Sequence, residues 1–219
     1  MNLIKNNIKR ESNLLVVIGL QRTGTTLLAS MLGRHPEINM LFESVTKDSL
    51  KLIGKKWNGN KLLAYRQIRQ NTKSSKLGHL VNRIVNFDFG INRKHHLLRP
   101  FPTSDMSIDD YLNLNSKFIT IERDKAEAIS SMMNRAGQSE KQASHEYFEG
   151  MKIINDLKRN KYTHSVSFYD LTNNTEKILK EIFDFLELEA TNEMIQNIIE
   201  EGPKYNIVYP NKKIEKRKA

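Results

Sequence analysis

The chain has 219 residues, 38% of them hydrophobic and 27% charged, with a formal net charge of +10. This length suffices for one domain with a full hydrophobic core, and no stretch approaches the ~20 apolar residues that span a membrane. The absence of cysteine excludes disulfides and thiolate metal sites. The polar N-terminus lacks the pattern of a signal peptide, so we expect a cytoplasmic protein.

The first predicted elements are a strand, a helix and a second strand. The apolar run Leu14–Ile18 is short enough for a buried strand, and apolar residues recur at helical spacing over roughly 27–34. Pro36 ends this helix because the residue before a proline avoids the helical region. Residues 38–42 predict a second short strand, and Glu43 follows it.

The turn between the first strand and the helix has the pattern of a phosphate-binding loop. Residues Gly19 to Thr26 match G-x-x-x-x-G-K-[ST] at every fixed place except one, where Thr25 stands instead of lysine. Strand, glycine turn and helix together aim backbone N–H groups at one anion, and Arg22 is the fixed positive charge of the loop. We predict a phosphate cradle without the lysine that reaches the outer phosphates of a nucleoside triphosphate.

The middle of the chain is strongly basic. Between Ser44 and Pro100 there are thirteen Lys or Arg and two Asp, a net charge of +11. Such confinement favours an anionic partner about as much as a merely solvated face. The pattern predicts helices over roughly 46–56 and 61–72 with Trp57 between them, whereas 74–102 has no clear pattern.

The second half alternates strands and helices. The predicted order is a strand at Phe118–Glu122, a helix to about Arg135, a long helix from the Ser139/Gln142 capping box to about Arg159, a strand at His164–Tyr169, helices at about 175–186 and 192–201, and a basic tail at 211–219.

These elements predict a single α/β domain over residues 1–219, with a P-loop-like parallel sheet and helices on both faces. Ligands of such sheets bind at the carboxyl ends of the strands. The cradle, Glu43 and Arg123 each follow a predicted strand, so we expect them to share one site.

A second anion grip is predicted at Arg123 and Ser131. Eight residues along a helix return Ser131 to within about 80° of the same angular position, so a guanidinium and a hydroxyl can hold one anion. The alternative is a surface arginine paired with Asp124 and an ordinary helical serine.

The ordered set of motifs resembles the sulfotransferases that use 3′-phosphoadenosine 5′-phosphosulfate (PAPS), most closely the bacterial and Golgi-type members, including the tyrosylprotein branch. The matching stretches are Gln21–Leu28, Ile121–Asp124 followed by Ser131, Phe168–Leu171 and Ile182–Leu188. The likeness covers about 14–43 and 117–188 and implies that these residues form the donor-binding core. The region 44–115 is then left to bind the acceptor.

The resemblance implies a role for each matching position. Arg22 would lie against the 5′-phosphosulfate as a cofactor-binding and catalytic cation, in a cradle of Thr23, Gly24, Thr25 and Thr26. Arg123 and Ser131 would bind the 3′-phosphate, and Tyr169 would lie near the adenosine. Glu43 falls where the tyrosylprotein branch has its catalytic glutamate. No metal is implied.

Two features depart from the family pattern. Lys125 stands where a proline usually follows Arg-Asp, and the lysine expected between the two grips is not evident. Lys94 is the first candidate for that catalytic cation and Arg99 the second. Alternative bases are His35, His95 and His96.

Sulfuryl transfer needs a base for the acceptor hydroxyl or amine and cations for the leaving phosphate, by analogy with phosphoryl transfer. Two other classes stay open: a P-loop nucleotide or nucleoside kinase with a degenerate loop, which would need Mg²⁺ and ATP, and a basic nucleic-acid-binding protein, whose affinity would fall steeply with salt. For a sulfotransferase, the +11 region suggests an anionic or polyhydroxylated acceptor such as a glycan.

Overall fold

A computed structural model describes residues 12–51, 54–85 and 99–201, without the side chains of Asp48 and Ser49. Lys94, His95, His96 and the tail 211–219 lie outside the described residues. Five strands form one sheet in the order β2-β3-β1-β4-β5, and every neighbouring pair is parallel. The strands are β1 Asn13–Gly19, β2 Ile38–Phe42, β3 Trp57–Leu63, β4 Lys117–Glu122 and β5 Thr163–Ser167.

Helices cover both faces of the sheet. They are α1 Thr25–Leu32, α2 Lys76–Ile84, α3 Ile108–Asn113, α4 Lys125–Ala136, α5 Glu140–Lys158, α6 Phe168–Asn173, α7 Thr175–Phe185 and α8 Asn192–Glu200. Because side chains alternate along β1, Leu15 and Val17 pack in one core with α1, α7 and α8. Leu14, Val16 and Ile18 pack in the opposite core with α3 and α5. The predicted single α/β domain with helices on both faces is confirmed.

The two helices predicted over 46–56 and 61–72 are wrong. The first stretch holds only a 3-10 helix at Lys47–Leu50 among its described residues. The second begins inside β3, which lies between β2 and β1. The sequence of β3, Trp-Asn-Gly-Asn-Lys-Leu-Leu, is polar, yet all seven residues are buried.

Tertiary partners explain how such a polar strand is buried. The side chain of Asn60 donates to the Ser44 carbonyl at 2.8 Å, and its amide oxygen accepts from the Ser44 N–H at 3.2 Å. The side chain of Asn39 on β2 donates to Asn58 at 3.1 Å. Buried polar groups are tolerated when they are hydrogen-bonded, and a hydrophobicity pattern does not detect such a strand.

The other predicted elements lie close to their expected bounds. The Ser139/Gln142 capping box begins α5, with both reciprocal hydrogen bonds present. The fifth strand ends at Ser167 rather than Tyr169, because the Ser167 hydroxyl accepts from the Asp170 N–H and begins α6. None of the helices in the described ranges is long and apolar enough to cross a bilayer.

Candidate active site

The carboxyl ends of the five parallel strands place the predicted site residues along one edge of the sheet. The loop after β1, which carries the cradle, lies at the centre. Glu43 follows β2 and Arg123 follows β4, so they lie on opposite sides of the cradle. Neighbouring strands are about 4.8 Å apart, so Arg123 is one strand spacing from the cradle strand and Glu43 is two.

The cradle is a tight turn that only glycine permits at two positions. Gly24 has φ +96° and forms the N-cap of α1, where no side chain caps the helix. The first N–H groups of α1 therefore have no intrahelical partner and point toward the loop, as an anion site requires. A Cβ on Gly19 would lie 2.7 Å from the Ile121 carbonyl oxygen, so glycine lets the loop lie against β4. The Thr23 hydroxyl is buried and donates to the Leu20 carbonyl at 2.9 Å, which fixes the turn.

The residues of the two predicted anion grips lie next to each other in the folded chain. Arg22 in the cradle loop, with φ 70°, donates from Nε to the Ser131 hydroxyl on α4 at 3.4 Å. On the other side of the loop, Phe168 lies between the grips. Its ring is so close to Gly24 that a Cβ there would approach Cδ2 to 2.4 Å. The Arg123 guanidinium lies over the same ring, 4.6 Å from its centre. The cradle and the second grip thus form one continuous surface.

Arg123 also has a partner on α4, the helix that follows it. Its Nε donates to Glu127 at 2.8 Å, with the arginine side chain 27% exposed. Since a guanidinium carries five N–H donors, this ion pair leaves donors for an anion. The alternative pairing with Asp124 is not formed; the Asp124 carboxylate instead accepts from the Glu127 N–H and caps α4.

A cleft of about 590 Å³ opens beside Arg123. Its walls come from the end of β4, from β5 and from the first turns of α6, and they include Phe168 and Tyr169. This volume lies within the range of small-molecule sites. Tyr169 is largely exposed at its rim, in α6 rather than in a strand.

Glu43 has a strained backbone and two donors on its carboxylate. Its φ is 57°, a conformation rare for a residue with a side chain. Lys61 on β3 forms an ion pair with Oε1, and the side-chain amide of Gln67 donates to Oε2 at 2.9 Å. The Lys61 side chain is 4% exposed and that of Glu43 43%. A carboxylate offers about four acceptor positions, so Glu43 keeps capacity toward solvent.

Lys61, the ion-pair partner of Glu43, is a candidate site residue that sequence reasoning missed. It lies in the sequence between the two predicted grips, where the family resemblance implies a lysine. The helix that we predicted over 61–72 made Lys61 look like an exposed surface residue. Lys94 lies outside the described residues. Arg99 lies instead beside Arg66 and Glu146; burial, followed by the charge of Arg66, lowers the pKa of Arg99.

His35 is held as a structural residue. Its Nδ1 accepts from the Glu37 N–H at 3.2 Å, and its Nε2 lies 3.1 Å from the Glu189 carbonyl. These contacts assign the neutral tautomer with the proton on Nε2, and burial lowers the pKa of His35. Its contacts are thus at the far end of α1 from the cradle.

A buried polar chain joins the cradle loop to α5. The Gln138 amide donates to Gln21 at 3.3 Å and to Glu146 at 2.9 Å. Glu146 in turn accepts two hydrogen bonds from Arg66, at 2.8 and 2.9 Å, with both side chains less than 10% exposed. Because Gln138 follows α4, this chain couples the cradle to the helix that carries Ser131.

Within the described ranges, no cluster of three or more His, Cys, Asp or Glu side chains could hold a metal ion. The residues of this sheet edge can bind an anion at the cradle, and the Glu43 carboxylate, paired with the buried Lys61 ammonium, lies at the same edge.

Comparison with known proteins gives a fold and a family-model match over part of the chain. Residues 15–96 match the sequence model of the sulfotransferase family, and no curated protein matches the chain significantly. Mouse sulfotransferase SULT7A1 complexed with PAP has a TM-score of 0.52 at 15% identity, over 87% of this chain and 63% of that one. This chain thus spans less than two thirds of the mouse enzyme.

Two further solved structures are similar at lower scores. They are retinol dehydratase in complex with androsterone and inactive cofactor PAP (TM-score 0.48, 12% identity, 85% of this chain and 63% of that one) and the sulfotransferase domain from the curacin biosynthetic pathway (0.47, 17%, 84% and 77%). Their scores are too low to support an argument, so the fold assignment rests on the mouse enzyme. The chain therefore has the fold of the mouse sulfotransferase, and its residues 15–96 match the sequence model of the sulfotransferase family.

Proposed function

We propose that the protein transfers a sulfuryl group from PAPS to a hydroxyl or amine acceptor. The observation that carries this proposal is the junction of two anion grips through the Arg22–Ser131 contact and the shared ring of Phe168. A donor with phosphates at its 5′ and 3′ positions needs two such grips with a nucleoside site beside them. The family match and the PAP bound to the mouse enzyme support the same donor.

The donor would lie along the sheet edge from the cradle to the cleft. The N–H groups of residues 23–26 and the Arg22 guanidinium would hold the 5′-phosphosulfate. Thr25 is only 3% exposed, so we propose that it contacts the phosphosulfate through its backbone N–H. The hydroxyl that contacts the phosphosulfate would then be that of Thr26. Arg123 and Ser131 would hold the 3′-phosphate, and the cleft beside Tyr169 would take the adenosine.

Glu43 and Lys61 would perform the chemistry. As the acceptor oxygen bonds to sulfur, Glu43 takes its proton and the bond from sulfur to the phosphate oxygen breaks. The electron pair goes to that oxygen, where Lys61 and Arg22 stabilise the negative charge. A positioned base is worth about 10²–10⁴-fold in rate, and a cation or donor on developing charge about 10²–10³-fold. Lys61 thereby takes the role that the sequence assigned to Lys94 or Arg99.

Radiolabelled PAPS and an acceptor screen test the proposal. We expect Glu43→Gln to reduce turnover by at least about 100-fold while the Kd for adenosine 3′,5′-bisphosphate stays within a few-fold of the original. Glu193→Gln, an exposed change on α8, is the matched control. Near-normal turnover of Glu43→Gln would assign the base elsewhere, and failure of the unaltered protein to bind the bisphosphate would refute the donor.

The kinase alternative is not favoured, because the family match and the fold agree on sulfotransferases and the cradle lacks the lysine for outer phosphates. ATP turnover that requires Mg²⁺ would restore it. The nucleic-acid alternative rests only on the basic middle region.

An anionic or polyhydroxylated acceptor such as a glycan, bound by residues 44–115, stays a proposal based on the +11 charge of that region. A preference for neutral apolar phenols in the acceptor screen would contradict it. The cytoplasmic location stays a prediction.

A further inference from the structure

Helix α2 is attached to the protein by its polar side. Gly78 and Asn82 are its buried residues. The Asn82 side chain donates to the Phe101 carbonyl at 3.0 Å and accepts from the Phe101 N–H at 3.2 Å. A Cβ on Gly78 would lie 3.1 Å from Cβ of Phe101, so glycine allows the helix to lie close to this residue.

The apolar side of α2 faces away from the part of the chain that the structure describes. Leu77 is 68% exposed, Leu80 51% and Ile84 62%, and Val85 just after the helix is also exposed. Their spacing of three and four residues places them on one side of the helix. A surface helix of a globular protein normally turns this side to the core, so the orientation of α2 is the reverse of the usual one.

Cations border the apolar face. Lys76 and Arg83 are exposed and lie one helical face away from the leucines, and residues 76–85 contain no Asp or Glu. In the sequence, α2 belongs to the region 44–100, which has a net charge of +11. A short helix with exposed leucine and isoleucine on one side and Lys or Arg beside them has the composition of a helix that lies in a membrane interface.

We propose that α2 is a docking surface for an anionic lipid bilayer. Its apolar side chains would enter the boundary between headgroups and acyl chains, and Lys76 and Arg83 would contact anionic headgroups. Charge complementarity favours this occupant over a second copy of the chain, because pairing two copies of α2 would bring like charges together. The nine-residue helix is also only about 14 Å long, too small for the ~800 Å² per partner of a standard interface.

This inference is independent of the proposed sulfuryl transfer. The test is co-sedimentation of the full chain with vesicles of phosphatidylcholine alone or mixed with phosphatidylglycerol. Two cations near an anionic surface predict about thirtyfold stronger partitioning into the mixed vesicles. The binding should fall when salt is raised from about 0.1 M to about 1 M, since the screening length shortens from ~10 to ~3 Å.

The double variant Leu80→Asp/Ile84→Asp should abolish vesicle binding. Both positions are exposed, so the melting temperature should not change, which separates lost docking from lost folding. Phe148→Asp is the matched control, an equally exposed apolar residue on α5, and it should bind as the original does. The proposal is overturned by absence of vesicle binding, by equal binding to neutral vesicles, or by a concentration-dependent dimer that the double variant dissociates while vesicle binding persists.

Discussion

The contact of Gly24 with Phe168 gives a prediction whose size can be worked from the structure. Alanine at Gly24 would adopt φ +96°, which costs an L-residue about 1–2 kcal/mol. Its Cβ would also lie 2.4 Å from Cδ2 of Phe168, against a normal separation of ~3.5–4.0 Å. Overpacking of this kind costs about 1–3 kcal/mol. We therefore expect Gly24→Ala to lower the free energy of unfolding by about 2–5 kcal/mol.

Gly54 provides the matched control. Its φ of +99° is nearly the same, but no atom lies within 4 Å of a Cβ built on it. Gly54→Ala should therefore show only the backbone cost, about 1–2 kcal/mol. Urea or thermal unfolding of both variants measures the difference, with about 2–4 °C in melting temperature for each kcal/mol.

A double variant identifies the contact. Phe168→Leu removes the ring, so Gly24→Ala/Phe168→Leu should lose less stability than the sum of the two single variants. Gly24→Ala should also weaken binding of adenosine 3′,5′-bisphosphate, because a displaced ring no longer supports Arg123. Equal destabilisation by Gly24→Ala and Gly54→Ala would refute the reasoning, since it would mean that Phe168 moves aside without cost.

Three further predictions concern buried charges. Lys61→Met should lower turnover with PAPS by about 10²–10³-fold. It should not lower the melting temperature, because a buried ammonium carries a desolvation penalty. Unchanged turnover would exclude Lys61 from the chemistry. Glu146→Leu should cost about 3–5 kcal/mol of stability, because it removes the carboxylate that pairs with the buried Arg66 guanidinium. Glu149→Gln, in a more exposed pair with Lys152, should cost at most about 1 kcal/mol. Similar losses of the two variants in urea unfolding would contradict the role of burial. Burial lowers the pKa of His35, so the native state binds fewer protons than the unfolded state below pH ~6.5, and stability should fall as pH drops through that value. The melting temperature of His35→Asn should depend less on pH over the same range; an unchanged slope would assign the acid sensitivity to other groups.

The central elements were predictable because their patterns are local. Each of three features can be recognised from a few consecutive residues: the apolar run of β1, the glycine turn and the cap of α5. The position of Glu43 and Arg123 at the same sheet edge as the cradle was predictable, because parallel strands bring their carboxyl ends to one edge.

The strand β3 was not predictable, because the partners that allow its burial are distant in sequence. Asn60 forms hydrogen bonds with Ser44, and Lys61 forms an ion pair with Glu43. Neither contact produces a periodic pattern of hydrophobic residues in the sequence. Placing a polar stretch on a helix was therefore the natural error, and it concealed the buried ammonium beside the carboxylate. The position of Phe168 between Gly24 and Arg123 was not predicted for a related reason. Both contacts are formed by packing of segments that are distant in sequence.

The strand order has a consequence for how such a protein can change its acceptor. Both sheet neighbours of β1, which are β3 and β4, are in register with it, and the chain between Leu63 and Lys117 connects them. Part of that connection belongs to the core, because Ile68, Met106 and Ile108 pack with residues of β1. Under the proposed function, a change of acceptor would therefore keep these residues and alter the rest of the connection. A positive charge where Arg66 stands is a further requirement, because it pairs with the buried carboxylate of Glu146.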